Sequence, residues 1–225
     1  MRRHLCLVPL IAVAVTAVRA QDAPAWPDTF EARVQALALI QTLNAAILSS
    51  RSATTTLEGW CRDHKLAANP VIVADVVRGA DAPADAEQRQ RLKVNDGETV
   101  KFRRVRLRCG ERILSQAENW YVPGRLTAEM NRLLETTDTP FGRAVQSLEP
   151  YRQTFGATLL WSPLPPGWET ESKPVPPSTS RTLSIPDAVF SHRALLYTRD
   201  HTPFAEVNEV YQRQILAFPP PRRPH

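Results

Sequence analysis

Charge sits inside two stretches that otherwise read as β-strands. Along residues 100–109 the side chains alternate between two faces, which places Arg103 with Val105, Leu107 and Cys109 and sends Arg104, Arg106 and Arg108 to the other side. Near the C-terminus Glu209 shares a face with Ala205, Val207 and Tyr211, whereas Glu206 goes with Phe204, Asn208 and Val210. An unpaired charge on an apolar face costs several kcal/mol, so Arg103 and Glu209 are expected to meet each other or a polar ligand. An internal salt bridge and strand ends open to water are the plain structural ways to satisfy them.

Other chemistries lack their residues. The five histidines, His4, His64, His192, His201 and His225, never stand three or four positions from one another or beside a cysteine pair, so no metal site is expected. There is no Gly-x-Ser-x-Gly elbow, no phosphate-binding glycine loop and no dinucleotide fingerprint, and no cofactor is expected either.

The first residues set the compartment. Arg2 and Arg3 precede an apolar run over residues 5–18, closed by Val18-Arg19-Ala20 ahead of a polar, proline-containing stretch, which reads as a secretion signal cleaved after Ala20. Cys6 lies inside the run, where no lipid attachment is expected. Removing Arg2, Arg3 and Arg19 lowers the formal charge from +5 to +2, and residues 101–108 alternate basic with apolar, so nothing supports nucleic acid as a partner. No later apolar stretch is long enough to cross a membrane. A periplasmic or secreted location is expected, in which Cys61 and Cys109 are free to pair or to remain two buried thiols.

The elements follow from periodicity and turn chemistry. Residues 29–48 carry apolar side chains at helical spacing, with Asp28 or Thr29 as cap, and residues 54–65 read as a shorter helix bearing Leu57, Trp60 and Cys61 on one side. Residues 71–77 and 99–109 read as strands, separated by a polar loop or short helix over residues 80–91. The Cys109-Gly110-Glu111-Arg112 turn joins the second of these to a partner strand over residues 113–122, and a helix capped by Thr127 follows. A strand over 154–160, a proline-rich loop over 163–177 and two closing strands over 189–198 and 204–216 complete the chain. Short turns between successive strands predict an α+β fold, an antiparallel sheet with helices packed against it. Residues 21–217 form one domain in this reading, and residues 218–225, proline-rich and basic, form a disordered tail.

The order Ser52-Ala53-Thr54, an arginine-bearing strand, Trp120-Tyr121-Val122-Pro123, Thr139-Pro140-Phe141-Gly142-Arg143 and Glu209-Val210-Tyr211 resembles chorismate lyase and its fold superfamily, which includes the ligand-sensing domains of some transcription regulators. The resemblance spans about residues 45–215. It implies a closed pocket between sheet and helices in which a strand arginine grips an aromatic carboxylate. An ungapped match puts that role on Arg104, the apolar-face pattern puts it on Arg103, and both stand. By the same resemblance Phe141 touches the ring, the Ala53 backbone meets the ligand, and Glu209 is hydrogen-bond partner or general acid at the phenol or enolpyruvyl oxygen. Asn119 stands close to where the enzyme has a second arginine. Two functions are therefore expected of an exported monomer, beside a third in which it is an envelope structural or interaction protein whose Arg and Glu merely pair. One is a lyase converting chorismate, or a related enolpyruvyl aromatic acid, to a hydroxybenzoate and pyruvate. The other is a non-catalytic binder of a small aromatic carboxylate.

Overall fold

A computed structural model describes residues 24–170 and 180–221. The signal segment over 1–20, part of the proline-rich loop and the last four tail residues lie outside the described residues. Six strands form one antiparallel sheet in the order β1-β2-β3-β6-β5-β4, with β1 Ile72–Val76, β2 Lys101–Cys109, β3 Arg112–Tyr121, β4 Tyr151–Leu159, β5 Ala188–Tyr197 and β6 Pro203–Gln212. Helices α1 Phe30–Leu48, α2 Ala53–Asp63, α3 Ala86–Arg91, α4 Ala128–Thr136 and α5 Phe141–Ala144 complete it, and the α+β expectation holds.

The helix caps form where hydroxyls and carboxylates precede the helices. Thr29, Ser52 and Thr127 each accept a backbone N–H from the first turn of α1, α2 and α4, and Asp85 and Gln88 form a reciprocal capping box on α3. The buried stripe of α1 is Ala32, Ala36, Ile40, Leu43 and Ile47, while Phe30 and Leu48, expected on the apolar face, are exposed. Alanines at 32 and 36 let the helix lie close to its neighbours, and Phe30 instead meets Trp168 edge-on.

Three clusters make the core. On one face of the sheet α1 and α2 cover Ile72, Leu107, Leu114 and Tyr211. On the same face, toward the other strand ends, α4 and α5 cover Tyr121, Leu196, Phe204 and Val207. The opposite face carries a smaller cluster of Leu92, Trp120 and Leu195. There Glu206 is buried and takes both nitrogens of an Arg91 fork at 2.7 and 3.0 Å. That ion pair fastens the α3 segment to the sheet. Cys61 of α2 and Cys109 at the end of β2 are joined by a disulfide. Phe218, placed at the start of the tail from sequence, is buried against Trp26, Trp60 and His64, because three aromatic rings shelter it.

Candidate functional site

Where the two large clusters meet, the helices do not close on the sheet. A cavity of about 430 Å³ remains there, floored by Val105, Leu107, Ala117 and Val207 and roofed by the first turn of α2 and by α5. Strand register explains which side chains reach it. Val105, Ala117, Glu209 and His192 are successive cross-strand neighbours, and Arg103, Asn119, Val207 and Ala194 form the next row. Each row lies on the helix-covered face.

Glu209 is on the cavity wall, as the resemblance implies, but its partner is not on the hairpin. Arg152 of β4 donates from Nη2 to Glu209 Oε2 at 2.7 Å, and the Tyr211 hydroxyl donates to the same oxygen at 2.9 Å. The Arg152 and Glu209 side chains are 3% and 9% exposed, so this is a desolvated pair. Burial works against the Arg152 charge, and the Glu209 carboxylate and its surroundings more than restore it, leaving the guanidinium raised above its ordinary value. Burial, then the adjacent Glu209 carboxylate, push the Tyr211 phenol well above the usual range, so it stays a donor. Among the described residues, no hydrogen bond uses Glu209 Oε1 or Arg152 Nη1, and both residues line the cavity. The pair thus offers one acceptor and one donor to whatever occupies the space.

The two hairpin arginines take other roles. Arg104 points to the opposite face, half-exposed, where it forks onto Glu118 at 2.7 and 3.0 Å. Its assignment to the pocket is corrected by the alternation of β2. Arg103 is on the cavity face and buried, yet it does not line the cavity. Its Nη2 donates to the carbonyls of Thr137 and Thr139, and among the described residues its buried Nε and Nη1 have no partner. Burial lowers its pKa. The expected meeting of Arg103 with Glu209 does not occur, because the register puts them in different rows two strands apart, about 10 Å at ordinary strand spacing. Arg103 instead pins the α4–α5 connection that carries Phe141.

The remaining expected residues come together. Phe141 is buried on the cavity wall, its ring 5.7 Å from Tyr121 and 6.4 Å from Phe204. Asn119 also lines the cavity and donates from Nδ2 to the Arg103 carbonyl at 3.3 Å. Ala53 and Thr54 stand at the first turn of α2, whose opening N–H groups have no partner within a helix. Thr54 is buried, and among the described residues its hydroxyl makes no hydrogen bond. Gly142 lets α5 approach this turn: a Cβ there would stand 3.0 Å from Thr54 Oγ1 and 3.1 Å from Ser52 Oγ.

Sequence reading missed Arg152 and His192. The first was hidden because β4 begins directly after Pro150, three residues earlier than expected, with the polar run Tyr151-Arg152-Gln153. His192 is buried opposite Glu209, and its Nε2 lies 2.7 Å from Asn44 Oδ1, an acceptor, so Nε2 carries the proton. Burial, then the Arg152 charge, lower its pKa to about 4. The unfolded chain therefore takes up this proton near the ordinary histidine value while the folded chain resists it, and stability present at neutral pH is lost as the pH falls from about 6.5 toward 4. The histidine contribution amounts to about 2.5 kcal/mol between pH 7.5 and 4.5. Urea unfolding at both pH values should show His192→Gln losing less stability than the wild type by roughly that amount. Parallel losses would remove His192 as the cause.

Among the described residues no group of three or more His, Cys, Asp or Glu could hold a metal ion, and no helix is long and apolar enough to cross a membrane. No family model matches the chain. It is 49% identical over 213 residues to "Uncharacterized protein y4mC" of Sinorhizobium fredii, covering 93% of this chain and 90% of that protein. Among solved structures it is similar to PhnF from Mycobacterium smegmatis, at 14% identity and a TM-score of 0.47 over 79% of this chain and 71% of that one. A GntR-family transcriptional regulator from Bacillus cereus gives 10% identity and a TM-score of 0.38 over 64% and 92%. Likenesses this distant bear on no ligand.

Proposed function

The chain belongs to the family of the Sinorhizobium fredii protein y4mC, and from its cavity we propose that it binds a small aromatic carboxylate without transforming it. The carrying observation is the desolvated Arg152–Glu209 pair on the wall of an otherwise largely apolar cavity of about 430 Å³, a size suited to a small ligand. A ring fits between the Val105 and Val207 floor and Phe141. Arg152 Nη1, the Thr54 hydroxyl and the Ala53 and Thr54 N–H groups at the start of α2 are the donors available to a carboxylate, and Glu209 Oε1 is the acceptor for a ring hydroxyl.

The lyase reading fits less well. Glu209 already gives an oxygen to a guanidinium and a phenol, the arrangement of a fixed carboxylate rather than of a proton donor. Asn119 stands near the position of the enzyme's second arginine, and Arg103 is turned beneath Thr137 and Thr139. Export is part of the proposal. It rests on the leader-like first 20 residues and is supported by the disulfide, a bond at home in an oxidising compartment.

Thermal unfolding with benzoate and 4-hydroxybenzoate tests binding. A ligand at one hundred times its dissociation constant should add about 2.7 kcal/mol, a rise of roughly 5 to 10 °C for a chain of this size. No shift with either compound would remove the binding reading. Incubation with chorismate should release no pyruvate above background, and release that depends on Glu209 would restore the lyase.

A further inference from the structure

The sheet has two ends, and they differ. β1 is five residues long, and its outer side is occupied by the chain itself, since the Ala74 N–H donates to the Asp138 carbonyl at 3.0 Å. β4 is nine residues long, is the last strand at the other end, and among the described residues pairs with β5 alone. Three of the five large apolar side chains exposed in the described chain, Phe155, Leu159 and Leu160, cluster on it or directly after it. Edge strands are ordinarily blunted by charge or proline, yet residues 153–160 contain neither. Among the described residues the guards stand at its start, the register shift between Thr154 and Gly156 and the Arg91 and Arg193 guanidiniums, each 5.1 Å from the Phe155 ring, and beyond them residues 156–159 pair regularly with β5 and carry no charge.

We propose that this stretch pairs with the same stretch of a second copy, antiparallel about a two-fold axis at Thr158, so that two six-stranded sheets become one. The sequence is self-complementary in that register. Thr158 faces its own mate, the large Leu159 faces the small Ala157, and the large Leu160 faces Gly156, which alternates bulk across the axis. A two-fold axis at Thr158 brings the same short stretch of both copies together, so a charged stretch would repel itself and this uncharged one does not. Because a two-fold contact uses the β4 edge of both copies, the pairing closes at two.

Sedimentation equilibrium of the purified protein from 1 to 100 μM should give twice the chain mass at the upper concentrations. Thr158→Lys sets two like charges across the axis and should return the mass to that of one chain, with the far-UV spectrum unchanged. Should that variant misfold, Thr158→Cys supplies the second test. Oxidation with diamide should convert it to a covalent pair, whereas Thr42→Cys, on the exposed side of α1, should stay single. A single-chain mass throughout the range, a Thr158→Lys protein that still doubles, or a Thr158→Cys protein that links no faster than Thr42→Cys overturns the pairing.

Discussion

Arg152→Met should lower the unfolding free energy by about 3 to 5 kcal/mol and remove the response to benzoates, the range seen when one partner of a buried ion pair is taken away. The loss comes less from the missing attraction than from what is left behind. Glu209 would keep only the Tyr211 hydroxyl, in a place where its side chain is 9% exposed, and would carry a charge with no compensation. The double variant Arg152→Met with Glu209→Gln should recover at least half of that stability, because an amide replaces the stranded charge, while binding stays absent. Urea unfolding and benzoate titration of the three proteins would decide it. A single variant within 1 kcal/mol of the wild type would mean that the pair is not desolvated in solution.

Cys61→Ala with Cys109→Ala should cost about 4 kcal/mol, from the chain entropy restored to the unfolded state when a link across 48 residues is removed. For a chain of this length that lowers the melting temperature by roughly 8 to 16 °C. Both cysteines are fully buried, so reductant should act only once the protein is partly unfolded, and mild treatment of the folded protein should leave its melting temperature unchanged. The bond also holds α2, whose first turn roofs the cavity, to β2, which floors it. Weakened benzoate binding should therefore accompany the lost stability. A double variant that melts within 2 °C of the wild type would show that the cysteines are reduced thiols in the folded protein.

Local patterns foretold much of this arrangement. The alternation along β2 separated Arg103 from Arg104, and the Cys109-Gly110 turn formed as expected, with Gly110 at a φ of 55° and a would-be Cβ 2.9 Å from Ala67 Cβ. The alternation along β6 separated Glu209, on the helix-covered face, from Glu206 on the other, but Phe204, expected beside Glu206, is turned to the helix-covered side by the register shift between Leu196 and Tyr197. What stayed hidden was lateral order. Nothing in residues 150–153 tells that β4 closes the sheet beyond β5, so the true partner of Glu209, 57 positions upstream, could not be paired with it by spacing. The hairpin arginine was the obvious candidate only because its strand was easy to recognise. His192 escaped for the same reason, since its place opposite Glu209 exists only once β5 and β6 are in register.

The two ends of the described chain are stitched together. Trp26 donates its indole N–H to the Leu216 carbonyl and packs against Phe218, Pro27 bridges to Thr182, and Gln35 reaches the Pro221 carbonyl. Such proximity is the circumstance in which circular permutation succeeds. A short glycine-serine joint between these ends would allow the polypeptide to be reopened at the surface turn around Asn95 and Asp96, far along the chain from either strand of the Arg152–Glu209 pair, giving an engineer a route to reporters that flank the ligand chamber instead of trailing from it.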